Sequence, residues 1–228
     1  MVVNYDFHIH SALSPCADNE MSPLNILLMA EAKGLNAVAI TDHNSIKNVP
    51  AALEIGEALG IAVIPGIEVQ TAEDIHVVAL FETYSELQHF YNQLQFPPIK
   101  NRVDIFGEQL VFNADNEVVD KEEMLLHCSA YSGLYEIVPL ILSCGGKAIA
   151  AHIDRSANGI LSILGAVPED VPFSALEFSP HAPDLLKDRY RSYHRLINSD
   201  AHTLEQISNA GNTLICASLS PAAILSAI

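Results

Sequence analysis

Residues 37–69 read "AVAITDHNSIKNVPAALEIGEALGIAVIPGIEV", and this stretch decides the fold. "AVAIT" is a short apolar run with the residue types of a buried strand. "AALEIGEAL" has helical character and is stopped by Gly60, and "IAVIPGIEV" is a second apolar run. Near-continuous apolar strands interleaved with helices point to a parallel sheet covered by helices, an α/β architecture. The first strand ends in Asp42 and His43 and the second in Glu68, so residues able to bind cations stand where the strands finish.

The same alternation extends in both directions. Upstream, "MVVNYDFHI" reads as a strand, and Ser22-Pro23 opens a helix with Leu24, Leu27 and Leu28 on one face, closed by Gly34. Downstream, "IHVVALF" is a strand, and Ser85-x-x-Gln88 has the spacing of a capping box for a helix running to about Gln95. From residue 96 to about 122 the pattern weakens into prolines, charges and one strand-like piece, "QLVFN". Alternation resumes with the helix "LYEIVPLILSCG", the strand "KAIAAH", and the strand-like runs "ALEFS", "LINSDAH" and "NTLICA". Ser220 and Pro221 then begin a last helix. With no internal repeat or linker, residues 1–228 form a single domain carrying an inserted segment near 96–122.

Half of the residues are hydrophobic, enough to bury a substantial core. Lys and Arg number 11 against 28 Asp and Glu, a net charge of −17 with neutral histidines. A field of that sign repels polyanions, so long nucleic acid and membrane are not expected as partners. A small phosphorylated substrate or short nucleotide is still expected, because bound cations invert the local sign. No basic region followed by an apolar core opens the chain, and the longest apolar stretch, "LICASLSPAAILSAI", is too short to span a bilayer. Cys16, Cys128, Cys144 and Cys216 have no Cys-x-x-Cys spacing, which fits free thiols in a cytoplasmic protein. Nothing in the sequence sets an oligomeric state.

Alternate residues of a strand share a face, so Tyr5, Phe7 and Ile9 point one way and Asp6, His8 and His10 the other. Taken alone, His-x-His is an ambiguous sign of metal binding. It gains meaning because four further strand-like runs finish in Asp42 and His43, in Glu68, in His152, and in Asp200 and His202. Where parallel strands close into a barrel, such ends converge on one mouth. His76 is the exception, since it begins its strand; that strand either runs the other way or starts at the mouth. His89, His127, His181 and His194 read as structural by default.

The segments "DFHIHSALSP", "ITDHNS", "IPGIEV", "AAHIDR" and "NSDAH" resemble, in order, the motifs of the PHP (polymerase and histidinol phosphatase) superfamily. The likeness spans residues 6–202, and small stand-alone metal-dependent phosphoesterases of that family also carry "SPC" and "DIFGEQL" segments. The resemblance implies a distorted (β/α)7 TIM-like barrel with two or three divalent metal ions at the strand ends. It implies that His8, His10, Glu68 and Asp200 surround one metal, and that Glu68 bridges to a second completed by His76 and His152. His43 and His202 would hold a third, with Asp18 standing where some members supply a further ligand. Asp42 orients its neighbours, and Cys16 is expected to be a loop thiol rather than a ligand.

Mixed imidazole and carboxylate donors suit zinc, manganese or iron. Such a set fits a metal-dependent phosphoesterase in which a metal-activated water attacks phosphorus. Glu68 and Asp200 would sit at the reacting centre. Arg155, three residues after His152, has the planar donor fork of a phosphate clamp, and His181 follows a strand end where it would protonate a leaving group. Two other readings stay open: an amidohydrolase-like C–N bond hydrolase, disfavoured by "TDH", "SDAH" and the lack of a strand-end lysine, and a non-catalytic metal-binding regulatory module.

Overall fold

The computed structural model describes residues 1–228. In chain order the elements are β1 (Val2–Ile9), α1 (Pro23–Ala32), β2 (Ala37–Ile40), α2 (Val49–Leu59), β3 (Ala62–Val63), β4 (Gly66–Gln70) and β5 (His76–Leu80). They continue with α3 (Tyr84–Tyr91), α4 (Val103–Phe106), β6 (Leu110–Phe112), β7 (Val118–Lys121), α5 (Leu134–Ser143), β8 (Lys147–Ala150) and α6 (Ile160–Leu164). The last are β9 (Ala175–Phe178), α7 (Asp184–Arg189), β10 (Arg195–Ile197), a 3-10 turn at Leu204–Gln206, β11 (Thr213–Ile215) and α8 (Pro221–Leu225).

Two main sheets form, in the orders β11-β1-β2-β3 and β10-β9-β8-β5-β4, with β6 and β7 making a separate hairpin. Their edges meet only through single parallel bridges, Ile9 to Ala201 and His43 to Glu68. The distorted (β/α)7 TIM-like barrel expected from the sequence is shown only as a mixed α/β fold, two sheets bridged at both seams, β1 to the segment after β10 and the end of β2 to β4, with no continuous closed ladder. Short strands explain this: β2 and β3 pair over only Ala37–Val38 and Ala62–Val63, too few residues to extend a ladder around a barrel. β5 runs antiparallel to both β4 and β8. Its first residue, His76, thus stands at the end where the parallel strands place their last.

The interior between the sheets is filled by Val3, Tyr5, Phe7, Ala39, Ile64, Val78, Leu80, Ile149 and Leu196. Helices α1 and α2 cover one sheet through a second cluster that includes Ile26, Leu27, Val38, Ile40 and Ile55. The largest cluster packs α3 and α5 on the other sheet through Phe81, Phe90, Ile137, Val138 and Ile141. Ile9 belongs to the second cluster and Phe7 to the interior one, so the simple alternation expected along β1 fails. The cause is a register shift between Asp6 and Ile9 against β2. One extra residue re-aims the side chains beyond it, which sets His8 and His10 above the interior core.

Helix ends follow local chemistry. Ser22 caps α1 by accepting from the Asn25 amide, and Gly60 ends α2 in the left-handed conformation. The buried face of α1 is Ile26, Leu27 and Ala30, whereas Leu28 is exposed. Helix α3 is capped two residues earlier than its Ser85-x-x-Gln88 spacing indicated. Thr83 accepts from the Glu86 amide while Glu86 accepts from Thr83, because the reciprocal Thr83/Glu86 pair is the one with the helix start between its members. No helix is long and apolar enough to cross a membrane.

Candidate metal centre

The strand ends bring His8, His10, His43, His76, His152 and Asp200 around the carboxylate of Glu68, which is wholly buried. Glu68 Oε1 lies 2.9 Å from His76 Nδ1, 3.2 Å from His8 Nε2 and 3.2 Å from His152 Nε2. Its Oε2 lies 2.9 Å from His43 Nδ1 and 3.4 Å from His10 Nε2. Asp200 Oδ1 stands 3.0 Å from His10 Nε2 and 3.4 Å from His8 Nε2. Two donors sharing one cation at about 2.1 Å lie about 3.0–3.5 Å apart, so these separations have the dimensions of a coordination sphere.

Hydrogen bonds behind the ring dictate which nitrogens face inward. His8 Nδ1 donates to Glu177 at 2.9 and 3.1 Å. His10 Nδ1 is 3.0 Å from Ser14 Oγ. That hydroxyl gives its single proton to Asp42 Oδ1 at 2.7 Å, so it accepts from His10. Both Nε2 atoms therefore face the ring, 3.2 Å apart, and each can ligate a cation once any proton on it is lost. In the same space Glu68 Oε2 and His43 Nδ1, buried and 2.9 Å apart, make no aligned hydrogen bond. Buried polar atoms crowded together without aligned hydrogen bonds are costly unless a cation fills the space between them. Imidazole and carboxylate donors in this number suit divalent metal, so the residues present fit such a group.

The supports are themselves anchored. Asp42 also accepts from the Ser11 amide and hydroxyl at 2.7 and 2.6 Å. Glu177 accepts from Asn198 at 2.8 Å and from the His152 amide at 3.0 Å. Two of the ring residues, His152 (φ 26°) and Asp200 (φ 52°), adopt left-handed backbone, a conformation costing about 1–3 kcal/mol away from glycine.

Charge in the metal-free ring is shared out by position. Burial alone lowers an imidazole pKa, but Glu177, Glu68 and Asp200 raise His8 well above the usual histidine range. Against the same burial, Glu68 and Cys16 raise His43 to about 10. Burial and the neighbouring His202 and His43 hold His10 down to about 3. Despite burial, His76, His8 and His43 keep Glu68 well below the usual carboxylate range. His8 and His10 do the same for Asp200. Protons on His8 and His43 thus supply the positive charge that the carboxylates require.

His202 joins the ring at its rim, with Nδ1 2.8 Å from the Asp200 carbonyl, and its ring lies tilted against His10 at 4.4 Å between centroids. The remaining placements differ from the expectations. Asp18 is exposed and its Oδ1 accepts from the Glu20 amide, so its carboxylate turns away from the ring. Cys16 takes the place beside His43 and His202, because the turn after His10 brings residue 16 to the mouth. His127, expected to be structural, lies against Cys16 and His43. Against burial, contacts with His127, His202 and His43 hold the Cys16 thiol down to about 3. Arg155 forms an ion pair with Asp200 Oδ2 and is half-exposed. His181 is exposed and lines a cleft of about 980 Å³ with Arg155, Asp200, His202, Asn209 and Asn212. Glu177 was missed in the sequence. It lies in the middle of "ALEF" rather than at its end, and a charged residue amid an apolar strand was the available signal.

These features define a mixed α/β protein with a many-donor site at one mouth of its sheets. The chain belongs to the PHP domain family, whose model matches residues 6–206. It is similar to a 5'-3' exoribonuclease of Haemophilus influenzae, 35% identical over 83 residues, covering 35% of this chain and 29% of that enzyme. Its structure is similar to the lesion-specific endonuclease Q of Pyrococcus furiosus. The TM-score is 0.74 at 20% identity over 99% of this chain and 55% of that one. It is also similar to an endonuclease Q holding a 27-mer duplex with an abasic lesion at the active site. There the TM-score is 0.73 at 19% identity over 99% and 56% of the chains. This chain thus spans little more than half of those structures and a smaller part of the exoribonuclease.

These likenesses overturn the exclusion of long nucleic acid that was drawn from the net charge. One relative is named an exoribonuclease, and one structure of this fold holds a 27-mer duplex. Net charge sums over the whole surface, whereas a polyanion meets only the local field at the mouth, which bound cations reverse.

Proposed function

We propose that the chain is a metal-dependent phosphoester hydrolase, a phosphoesterase or nuclease, working at the ring around Glu68. The observation that supports this most directly is Glu68 itself: one buried carboxylate with five imidazole nitrogens within 3.4 Å, spread over its two oxygens. His8, His10, Glu68 and Asp200 would hold one cation, and His76 and His152 a second bridged by Glu68. Divalent metal in such a site supplies an activated water and neutralises charge on the phosphoryl oxygens.

The chain's own residues do the rest. Glu177 and Ser14 hold His8 and His10 in the tautomers that aim Nε2 inward. Arg155, now on Asp200, reaches the mouth and binds non-bridging phosphate oxygens through its donor fork. His181 on the cleft wall delivers a proton to the departing alkoxide. The cleft, lined by Ser179, Ser199, Asn209 and Asn212, offers hydrogen bonds from these side chains. It suits a hydroxyl-bearing alcohol such as the sugar of a nucleotide.

The test is a product assay of the metal-loaded protein on a panel of sugar phosphates, mononucleotides, 5'-phosphorylated RNA and duplex DNA with an abasic site. An Asp200→Asn, His202→Ala double variant serves as control. Turnover of a phosphoester that disappears in the variant is expected. Metal-loaded protein with no turnover of any member would overturn the reading.

A further inference from the structure

We propose that residues 187–195 and the hollow behind them form a backbone-phosphate subsite, which holds a nucleic acid strand several nucleotides away from a scissile phosphate at the Glu68 ring. The proposal rests on the hydrolase reading above and names its substrate class, a strand long enough to reach both places. Four of the eleven Lys and Arg residues, Lys187, Arg189, Arg191 and Arg195, fall in that one stretch. Acidic residues outnumber basic ones, 28 to 11, so an arginine here readily meets a carboxylate. Arg102 and Arg155 do so, on Asp104 and Asp200, whereas Arg189, Arg191 and Arg195 form no ion pair. All three are exposed. Lys187 has only Asp184, 3.4 Å away and almost wholly exposed, a pair that water screens. Asp188, the one carboxylate within the stretch, is also exposed. Clustered cations repel one another, and an external polyanion offsets that repulsion.

Behind the stretch, Lys187 and Arg195 line a hollow of about 310 Å³ together with Tyr5, Asn212 and Thr213. Arg195 is aimed by its Nη1, which donates to the Lys187 carbonyl at 3.2 Å. Tyr5 is only 4% exposed. Its hydroxyl oxygen accepts from the Ile197 amide at 3.4 Å, and no protein acceptor takes its proton, so a buried donor is left for an anion. The hollow adjoins the cleft at the mouth, since Ile197 and Asn212 are walls of both. Asn212 Nδ2 donates to the Ile197 carbonyl at 2.9 Å and fixes that shared wall.

Arg195 and Asp200 are five residues apart in the chain, a separation of at most about 18 Å. A stacked strand rises about 3.4 Å per nucleotide, so about five nucleotides lead from the Glu68 ring to Arg195. A lone phosphate or mononucleotide reaches one of the two places, and a strand reaches both. The contacts would fall on phosphates rather than base edges, which makes the subsite indifferent to sequence. The remaining acidic surface repels the strand and leaves this track as its path.

The experiment measures anisotropy of fluorescent phosphorothioate oligonucleotides of two, four, eight and twelve residues, in ribo and deoxy series, with the metal-loaded chain across a range of salt. Turnover of the ordinary phosphodiesters is followed in parallel. Affinity should rise by about tenfold between two and eight residues, the effect of one charged hydrogen bond, and then level off. In the Lys187→Gln, Arg195→Gln variant that gain should vanish. Its slope of log affinity against log salt for the eight-residue strand should be shallower by about 1.4, at about 0.7 per phosphate. The two-residue strand, too short to reach the hollow, should bind wild type and variant alike. Arg189→Glu, Arg191→Glu, at exposed positions, should weaken the longer strands in the same way. Equal wild-type affinity for two and eight residues, or a gain with length that survives both variants, would overturn the subsite; turnover of mononucleotides or dinucleotides would then leave the hydrolase reading standing. Length-dependent binding that the variants lose, without turnover, would support the subsite and overturn the hydrolase reading. The length series uses wild-type protein, so a variant that fails to fold does not shelter the proposal.

Discussion

Glu177→Gln is the substitution that best separates a built metal centre from a chance gathering of histidines. The side chain touches no substrate cleft and keeps its shape on substitution. The carboxylate accepts four contacts from three groups: His8 Nδ1 at 2.9 and 3.1 Å, the His152 amide at 3.0 Å and Asn198 Nδ2 at 2.8 Å. All of these are donors, so a glutamine must aim its NH₂ at one of them. With the amide nitrogen at Oε1 it faces His152 N–H, and at Oε2 it faces Asn198. Either way a buried donor is left unpaired, at a cost of about 1–3 kcal/mol in stability. His8 also loses the charge that favours Nδ1–H and a basic Nε2. Removing such an outer partner of a ligand typically costs tenfold to a hundredfold in metal affinity, or about 1.4–2.7 kcal/mol. The assay is competition with a chromophoric chelator at neutral pH, paired with chemical denaturation of the metal-free chain. Unchanged affinity together with unchanged stability would refute the reasoning, because it would mean that Glu177 does not hold His8 in its tautomer.

Other perturbations test separate links. Arg155→Met should raise KM for the phosphoester by about tenfold with a smaller change in kcat, and Arg155→Lys should restore only part, since a point charge lacks the planar fork; equal kinetics for the three proteins would remove the clamp. Metal uptake should release protons. In the metal-free fold His8 is raised well above its ordinary 6.5 and His43 to about 10, so both are charged at neutral pH and must lose protons to bind. The stability that these raised pKa values contribute to the metal-free fold is full below 6.5 and is lost as pH rises through the folded values. Affinity should therefore climb with pH across that window. Calorimetry in buffers of different ionisation enthalpy checks this, and identical apparent enthalpies would contradict it. Gly66→Ala should destabilise by about 1–3 kcal/mol, because the new Cβ would come 2.8 Å from Thr41 Cγ2 and 2.9 Å from Leu80 Cδ2. Thermal unfolding reads this directly, and an unchanged midpoint would show that β4 has room to shift.

The sequence by itself determined the alternating architecture and most of the ring. Apolar runs that end in Asp42-His43, Glu68, His152 and Asp200-x-His202 are legible because strand burial and strand ends are local properties, written in contiguous residues. His76 was legible as an anomaly, and the reversal of β5 accounts for it. Tertiary structure decided what depends on contacts between distant segments. The shift in β1 that re-aims His8 and His10 arises from its pairing with β2, which no period-2 reading of β1 contains. The lack of a continuous ladder around the two sheets depends on how few residues β2 and β3 share. Glu177 has its role because three donors from three other elements arrive at it. Cys16 rather than Asp18 meets His43 and His202 because a turn of a few residues after His10 sets which side chain reaches the mouth. His127 arrives there only through the fold of the inserted segment, which Asn44 and Gln109 hold in place by hydrogen bonds spanning up to 84 residues.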